Sequence, residues 1–239
     1  MLQRNESALY NAIRRALFIL SGSKGRDEMM NYENTHFPFL QEDCITEFGQ
    51  ETGTEIYSQA CERLTSMLEN ADYRNNESIK EHIDKNMFPM IAYYLTLQGP
   101  GYSKEEAYSL TLKETQKAAH IDKDKNATLA KLPFAYKLFK LFSKGVIKKK
   151  YPIEGWETEW VRFDDKEIHI NFTSCIYLDM TTHYGCPELC TVFCKNDTVT
   201  FSGYEPRFTL SEPERLPRML LAVISTLYEE NDYRVRCPF

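Results

Sequence analysis

Two side chains in the second half of this sequence are of types that could do chemistry: Cys175, a possible nucleophile, and Asp197, a possible base three residues after Cys194. Cys175 stands in Thr173-Ser174-Cys175-Ile176-Tyr177, directly after a segment of strand-like alternation. A thiol between a strand end and a helix start can ionise near neutral pH and act as a nucleophile. Asp197 follows Cys194 by three residues, and a carboxylate at a helix end can serve as a general base or pair with an amidinium-like group. Each has a plainer reading. A single cysteine is most often a buried small residue, and Asp197 is equally well explained as a turn residue bonding its own backbone. His183, between Thr182 and Tyr184, and His169, on the less apolar face of the strand, are acid–base candidates near neutrality, although such histidines more often sit on a surface or in support.

Cys186, Cys190 and Cys194 are spaced four apart, so a helix from Pro187 would align them on one face. With Cys175 they could bind a soft metal. The Cys-x-x-Cys pattern of zinc sites is absent, and small residues on a packed face account for the ladder more economically, so no metal and no cofactor are assigned. No glycine-rich phosphate loop, His-Glu-x-x-His or Gly-x-Ser-x-Gly occurs.

The 239 residues carry 29 basic against 35 acidic side chains, a net charge of -6. That balance argues against nucleic acid as a partner, because backbone binding needs clustered cations, and a small molecule is the expected ligand. No apolar run is long enough to cross a bilayer and no cleavage site follows the short run Ala16 to Leu20, so no membrane partner is expected. Seven cysteines without regular spacing suggest reduced thiols and a cytoplasmic location. The oligomeric state is not legible.

The elements that must position the candidates fall into two halves. Residues 7 to 20 have helical spacing, 27 to 53 are irregular with Gly49 and Gly53 marking a loop, and Thr54 can cap a helix striped by Ile56, Ala60, Leu64 and Met67. A short helix over Glu77 to Lys85 precedes another opened by Pro89, and Gly99-Pro100-Gly101 ends it. Ser103 with Glu106 forms a capping box for four turns to Ala118, a polar link at Asp122 to Asn126 follows, and a lysine-rich helix surrounds Phe134, Leu138, Leu141 and Phe142. That helix reads as a solvated lysine face on a core helix, ahead of a membrane-surface element. Pro152 and Gly155 mark a joint. Beyond it the period becomes two, in a hairpin of Trp156, Thr158, Trp160 and Arg162 with Ile168, Ile170 and Phe172 around an Asp164-Asp165 turn. Leu216 to Leu227 has helical spacing, although Leu221 to Thr226 is β-branched enough for a strand and the segment stays open between the two, and Tyr233 to Cys237 suggests a strand. The expected fold is α+β, a helical half over 1–150 packed on an antiparallel sheet with short helices over 151–239, as one compact unit.

The runs Phe172-Thr173-Ser174-Cys175-Ile176-Tyr177, Gly185-Cys186-Pro187-Glu188-Leu189 and Phe193-Cys194-Lys195-Asn196-Asp197 resemble, in this order, the signature of the L-2-amino-thiazoline-4-carboxylic acid hydrolase family. Pro89-Met90-Ile91-Ala92-Tyr93-Tyr94, Ser103-Lys104-Glu105-Glu106-Ala107 and Gly155-Trp156 extend the likeness over roughly residues 85 to 200. Ser174 and Ile176 stand where the family usually has arginine and proline, and Asn231-Asp232-Tyr233-Arg234-Val235 is the nearest approach to its closing element. The resemblance implies hydrolytic opening of a cyclic isothiourea to N-carbamoyl-L-cysteine.

The expected function is therefore a hydrolase acting on a small cyclic amidine. The attack would come from Cys175, Cys194 or water activated by Asp197; Tyr177 and His183 would hold the substrate, and Arg162 or Arg207 would anchor its carboxylate. The alternatives are a non-catalytic binding protein of the same fold and a cysteine-ligated metal protein.

Overall fold

The structure, a computed structural model, describes residues 30–208. The segments expected at 7–20, 216–227 and 233–237 lie outside the described residues.

Two helices, α1 (Leu40–Phe48) and α2 (Gln50–Glu69), replace the loop expected up to Gly53. Gly49 does make the turn, at φ 80°, but Gly53 lies inside α2, where an added Cβ would come within 2.3 Å of the Cys44 carbonyl oxygen. It is a glycine of close approach, letting α1 lie directly on α2. Thr54 is likewise no cap: its hydroxyl donates back to the Gln50 carbonyl at 2.6 Å, within the helix.

The helices expected around Glu77 and Pro89 are joined. Helix α3 (Glu77–His82), capped by the Asn76 side chain, runs through a π-helical turn at Ile83–Met87 into α4 (Phe88–Leu97). Pro89 has no N–H, which frees the Lys85 carbonyl four residues earlier; the backbone N–H of His36 takes it at 2.9 Å. The chain therefore continues through the proline in a widened turn. Almost every residue of α4 is buried.

Helix α5 (Lys104–Ala130) opens on the expected capping box of Ser103 and Glu106, then passes unbroken through the expected polar link. The link is held helical from outside: Asn126 donates to the Thr200 carbonyl at 2.9 Å, and Gly203 sits so close that a Cβ there would meet the Lys123 carbonyl. Helix α6 (Ala135–Lys150) follows.

Strands β1 (Thr158–Phe163) and β2 (Ile168–Phe172) pair antiparallel, with Ile168, Ile170 and Phe172 facing the core. A bulge between Trp160 and Arg162 breaks the even alternation and brings Trp160 and Phe163 onto one side, ring centres 5.3 Å apart. Helix α7 (Ile176–His183), a 3₁₀ turn (Pro187–Leu189), α8 (Cys190–Phe201) and a second 3₁₀ turn (Ser202–Tyr204) complete the described chain. The fold is α+β, a helical N-terminal half with a two-stranded sheet and short helices after it. One hydrophobic cluster draws on both halves, from Tyr32, Leu64 and Tyr93 to Ile170, Ile176 and Phe193. Each such large apolar side chain contributes about 1.5–3 kcal/mol on burial. Among the described residues no helix is long and apolar enough to cross a membrane.

Candidate active site

Cys175 is fixed by a short zipper between the segment after α6 and the segment after β2. The Thr173 N–H donates to the Glu157 carbonyl at 2.9 Å, the Ser174 hydroxyl accepts from the Glu157 N–H at 2.9 Å, and the Ile176 N–H donates to the Gly155 carbonyl at 2.8 Å. Cys175 is left between these bonds as the N-cap of α7, in extended backbone, and its carbonyl receives the Leu178 N–H. Space at Gly155 is tight: a Cβ would come within 3.3 Å of the Ile79 side chain and meet Ile176 at an ordinary 3.5 Å.

The half-buried Cys175 sulfur makes no capping hydrogen bond of ordinary geometry, but several donors surround it. The Cys190 thiol is the strongest, followed by the N–H groups of Leu178 and Tyr177 in the first turn of α7 and the indole N–H of Trp156. Together they outweigh burial and hold the thiol at about 7, below its ordinary 9.0. Cys190 goes the other way. Its own ionisation is pushed up by Cys175, then by Cys194, then by burial, so it remains the protonated donor. The arrangement has the form of a nucleophile with a proton held beside it.

Helix α8 supplies the opposite wall. Cys190 is its first residue, and spacings of four and three place Cys194 and Asp197 on the same face. The Cys194 thiol donates to the Cys190 carbonyl at 3.6 Å. Asp197 is not at the helix end, as expected, but inside it. Phe201 carries the helix a further turn by packing on Phe139 and Tyr204. The Asp197 and Cys175 charges both bear on the hydroxyls of Tyr151 and Tyr177; burial raises each most, and for Tyr177 the Asn86 hydrogen bond, which lowers it, and the Tyr151 charge rank ahead of these two. Cys175, Cys194 and Asp197 thus gather around one locality, with Tyr151 and Trp156 as unforeseen members.

Tyr177 is buried and its hydroxyl is engaged. His82 Nε2 lies 2.8 Å from the Lys150 carbonyl, which can only accept, so Nε2 carries the proton and Nδ1 accepts from the Tyr177 hydroxyl at 2.8 Å. Asn86 Nδ2 donates to the same hydroxyl at 2.9 Å. Burial lowers the His82 pKa, keeping the ring neutral between Trp156 and Tyr151, 4.8 and 5.7 Å away by ring centres. The π-helical turn that joins α3 to α4 starts directly after His82 and contains Asn86.

The remaining candidates stand apart. His183 is exposed at the far end of α7, about 12 Å from its start at 1.5 Å per residue, with its ring against Tyr184. His169 pairs with Asn171 at 3.1 Å on the hairpin. Arg162 is committed to the hairpin turn, to Asp164 at 2.5 Å and Glu167 at 2.8 Å. Arg207 is exposed just past the second 3₁₀ turn. Cys186 leaves the cysteine ladder because Pro187–Leu189 is 3₁₀ and Cys186 itself is non-helical. It is buried near Glu188, whose charge, after burial, raises its thiol to about 12. Among the described residues no three His, Cys, Asp or Glu side chains are placed to hold a metal ion.

A family model described as L-2-amino-thiazoline-4-carboxylic acid hydrolase matches residues 80–217, more than half the chain. The chain belongs to the L-2-amino-thiazoline-4-carboxylic acid hydrolase family. No curated protein and no solved structure matches it. The family segment contains the whole locality, from His82 to Asp197. It also includes Glu188 of the Gly185 to Leu189 run, which accepts from the Tyr94 hydroxyl at 2.6 Å and pairs with Lys104 at 3.4 Å. Those bonds anchor the turn from which α8 and Cys190 start. Ser174, at a position where arginine is usual in the family, has its own task here in binding Glu157.

Proposed function

We propose that the protein opens a small cyclic amidine or isothiourea such as L-2-amino-thiazoline-4-carboxylate, giving N-carbamoyl-L-cysteine, with Cys175 as nucleophile. One observation carries this reading: the Cys175 thiol caps the head of α7 among donors that lower its pKa, with Cys190 raised in turn and with Asp197 of α8 bearing on the same Tyr151 hydroxyl.

The thiolate adds to the amidinium carbon between the ring nitrogen and ring sulfur. The ring carbon–sulfur bond then breaks, its electron pair passing to the ring sulfur. That sulfur takes the Cys190 proton, which Cys175 no longer needs once it is bonded to carbon. An S-linked isothiouronium remains on Cys175. Asp197 removes a proton from water as the oxygen adds to the same carbon, and the bond to Cys175 breaks to restore the thiolate. The protonated urea so formed returns its proton to Cys190, and Asp197 releases its own to solvent. The sum is one water consumed and one free thiol produced. The Tyr151 hydroxyl, near both Cys175 and Asp197, steadies the tetrahedral states.

The test is turnover of L-2-amino-thiazoline-4-carboxylate and related cyclic amidines, followed as free thiol, in the intact protein and in Cys175→Ala. Thiol release that falls on the order of 10³-fold or more in the variant supports the reading. A quenched reaction should also hold protein whose mass has risen by one whole substrate, bonded at Cys175. Full turnover by Cys175→Ala, or no turnover of any cyclic amidine by the intact chain, overturns it.

A further inference from the structure

Helix α6 is apolar on two opposite sides. Ala135, Ser143 and Ile147 face the core, whereas Phe134, Leu138, Leu141, Phe142 and Val146, spaced as one helical stripe, face outward. Phe134 is 72% exposed, Leu141 71% and Phe142 61%. Single exposed apolar residues are ordinary, but a contiguous stripe marks a surface of interaction. Phe134 adds backbone strain to exposure: it leads into the helix at φ 61°, the left-handed region that a bulky side chain avoids, and makes no capping hydrogen bond in return. The solvated lysine face expected from the sequence thus accounts for one edge of this helix and not for its outward side.

The charges around the stripe decide what it fits. No acidic residue occurs between Asp124 and Glu154, a stretch with eight lysines in a chain of net charge -6. Lys137, Lys144 and Lys148 stand four before, three after and seven after Leu141, so they run along the edge of the stripe beside it, and Lys149 falls on its last turn. The hairpin turn brings carboxylates to this side of the helix, but they are engaged: Asp165 holds Lys140 at 2.6 Å, and Asp164 and Glu167 hold Arg162. Lys144 Nζ lies 4.2 Å over the Phe163 ring and Lys137 Nζ 5.5 Å over that of Phe134. Among the described residues, none of Lys137, Lys144, Lys148 and Lys149 has a carboxylate within ion-pair distance. An apolar ridge edged by such lysines fits a bilayer surface with anionic headgroups. The apolar side chains enter the boundary between headgroups and acyl chains, while the lysine stems reach back to the phosphates. A second copy of this chain would bring the same lysines and no acid to the contact, and a partner helix docks in a groove, whereas a single helix presents a ridge. This departs from the expectation that no membrane takes part, which rested on the lack of a spanning segment; a helix lying in the interface needs none.

We propose that α6 is a membrane-surface anchor: the stripe from Phe134 to Val146 lies in the interface of a bilayer that contains anionic lipid, with Lys137, Lys144 and Lys148 on the headgroups. The proposal is independent of the chemistry at Cys175. It is tested by sedimenting the full chain with vesicles of phosphatidylcholine alone and of phosphatidylcholine mixed with phosphatidylserine. The expected result is binding to the mixed vesicles that salt weakens, and that is weaker by about tenfold or more when phosphatidylserine is left out. Leu141→Gln with Phe142→Gln should abolish it, and Lys137→Gln with Lys148→Gln should reduce it by about tenfold or more. Both variants should keep the melting temperature, because the replaced side chains are exposed. A melting temperature lowered by Leu141→Gln with Phe142→Gln would show that the chain itself packs on this face. That result, no binding to the mixed vesicles, equal binding to phosphatidylcholine alone, binding that the Leu141 and Phe142 variant retains, or a self-association that this variant abolishes would each overturn the proposal.

Discussion

Cys190, the first residue of α8, and Cys175, the cap of α7, bear on each other's ionisation in opposite directions, Cys175 lowered and Cys190 raised, where two helices begin. Because the form that reacts is the thiolate, alkylation of Cys175 by iodoacetamide should rise with pH through a midpoint near 7 and be small below it. Cys190→Ala removes the largest stabilising donor and should move that midpoint upward, towards the 9.0 of an ordinary thiol; Cys190→Ser, which keeps a donor, should move it less. Identical midpoints in all three proteins would show that Cys190 does not set the state of Cys175.

Tyr151 gives a second prediction. Its ring is packed by Trp156 at 5.2 Å and Phe172 at 5.5 Å, contacts that phenylalanine would keep. Only the hydroxyl, near the charges of Asp197 and Cys175, is lost in Tyr151→Phe. The expected outcome is an unchanged melting temperature with kcat reduced on the order of 10²-fold, the usual cost of one oriented donor. Equal kcat would assign Tyr151 to packing alone.

The legible parts of this protein were those written in neighbouring residues. The Ser103–Glu106 capping box, the hairpin from Trp156 to Phe172 and the position of Cys175 at a strand-to-helix junction are all specified within a few positions. What the sequence concealed depends on distant partners. Gly53 signals a loop until the Cys44 carbonyl is brought against it, and Asp122 to Asn126 signals a link until Gly203 and Thr200 pack there. His82 meets Tyr177 across 95 positions, so nothing local marked it; the one available hint was that His82 and Asn86, four apart, share a helix face. Tyr151, beside a lysine run and a proline, looked like part of a joint.

The His82–Tyr177 bond leads to a third prediction. His82→Leu leaves two groups, the Lys150 carbonyl and the Tyr177 hydroxyl, short of a partner, and should lower stability to urea by about 2 kcal/mol or more. Tyr177→Phe removes the other end of the same bond, so the double variant should lose less than the sum of the singles by about 0.5–3 kcal/mol. Burial also sets a sign for pH. The folded His82 pKa lies below the unfolded 6.5, so the unfolded chain binds more protons, and stability falls as pH drops from above 6.5 towards the folded value. Strict additivity in the cycle would indicate that ring packing against Trp156, and not the hydrogen bond, is what His82 contributes.

Far from this site, Glu114 of α5 is only 3% exposed and forms a carboxyl pair with Asp43 of α1. Burial, then the hydrogen bond and charge of Asp43, raises Glu114 to about 8, against the opposing pull of Lys113 and Lys117. Asp43 is lowered instead: burial would raise it, but the hydrogen bonds from Lys117, at 2.5 Å, and from Glu114 prevail. Cys44 and Tyr93 also face the pair, each pushed up first by burial and in part by the Glu114 charge. The folded state thus holds a proton that the unfolded chain gives up above about 4.5. This contribution is fully present below pH 4.5 and is lost as pH rises through about 8. Glu114→Gln keeps a donor towards Asp43 without a group to ionise. Its melting temperature should hold steady between pH 6 and 9, where that of the unaltered protein declines, and by pH 9 it should be the more stable by a few kcal/mol (about 1.4 per pKa unit at most). Parallel declines in the two proteins would mean that Glu114 is already ionised in the folded state and that Lys113 and Lys117 neutralise the pair.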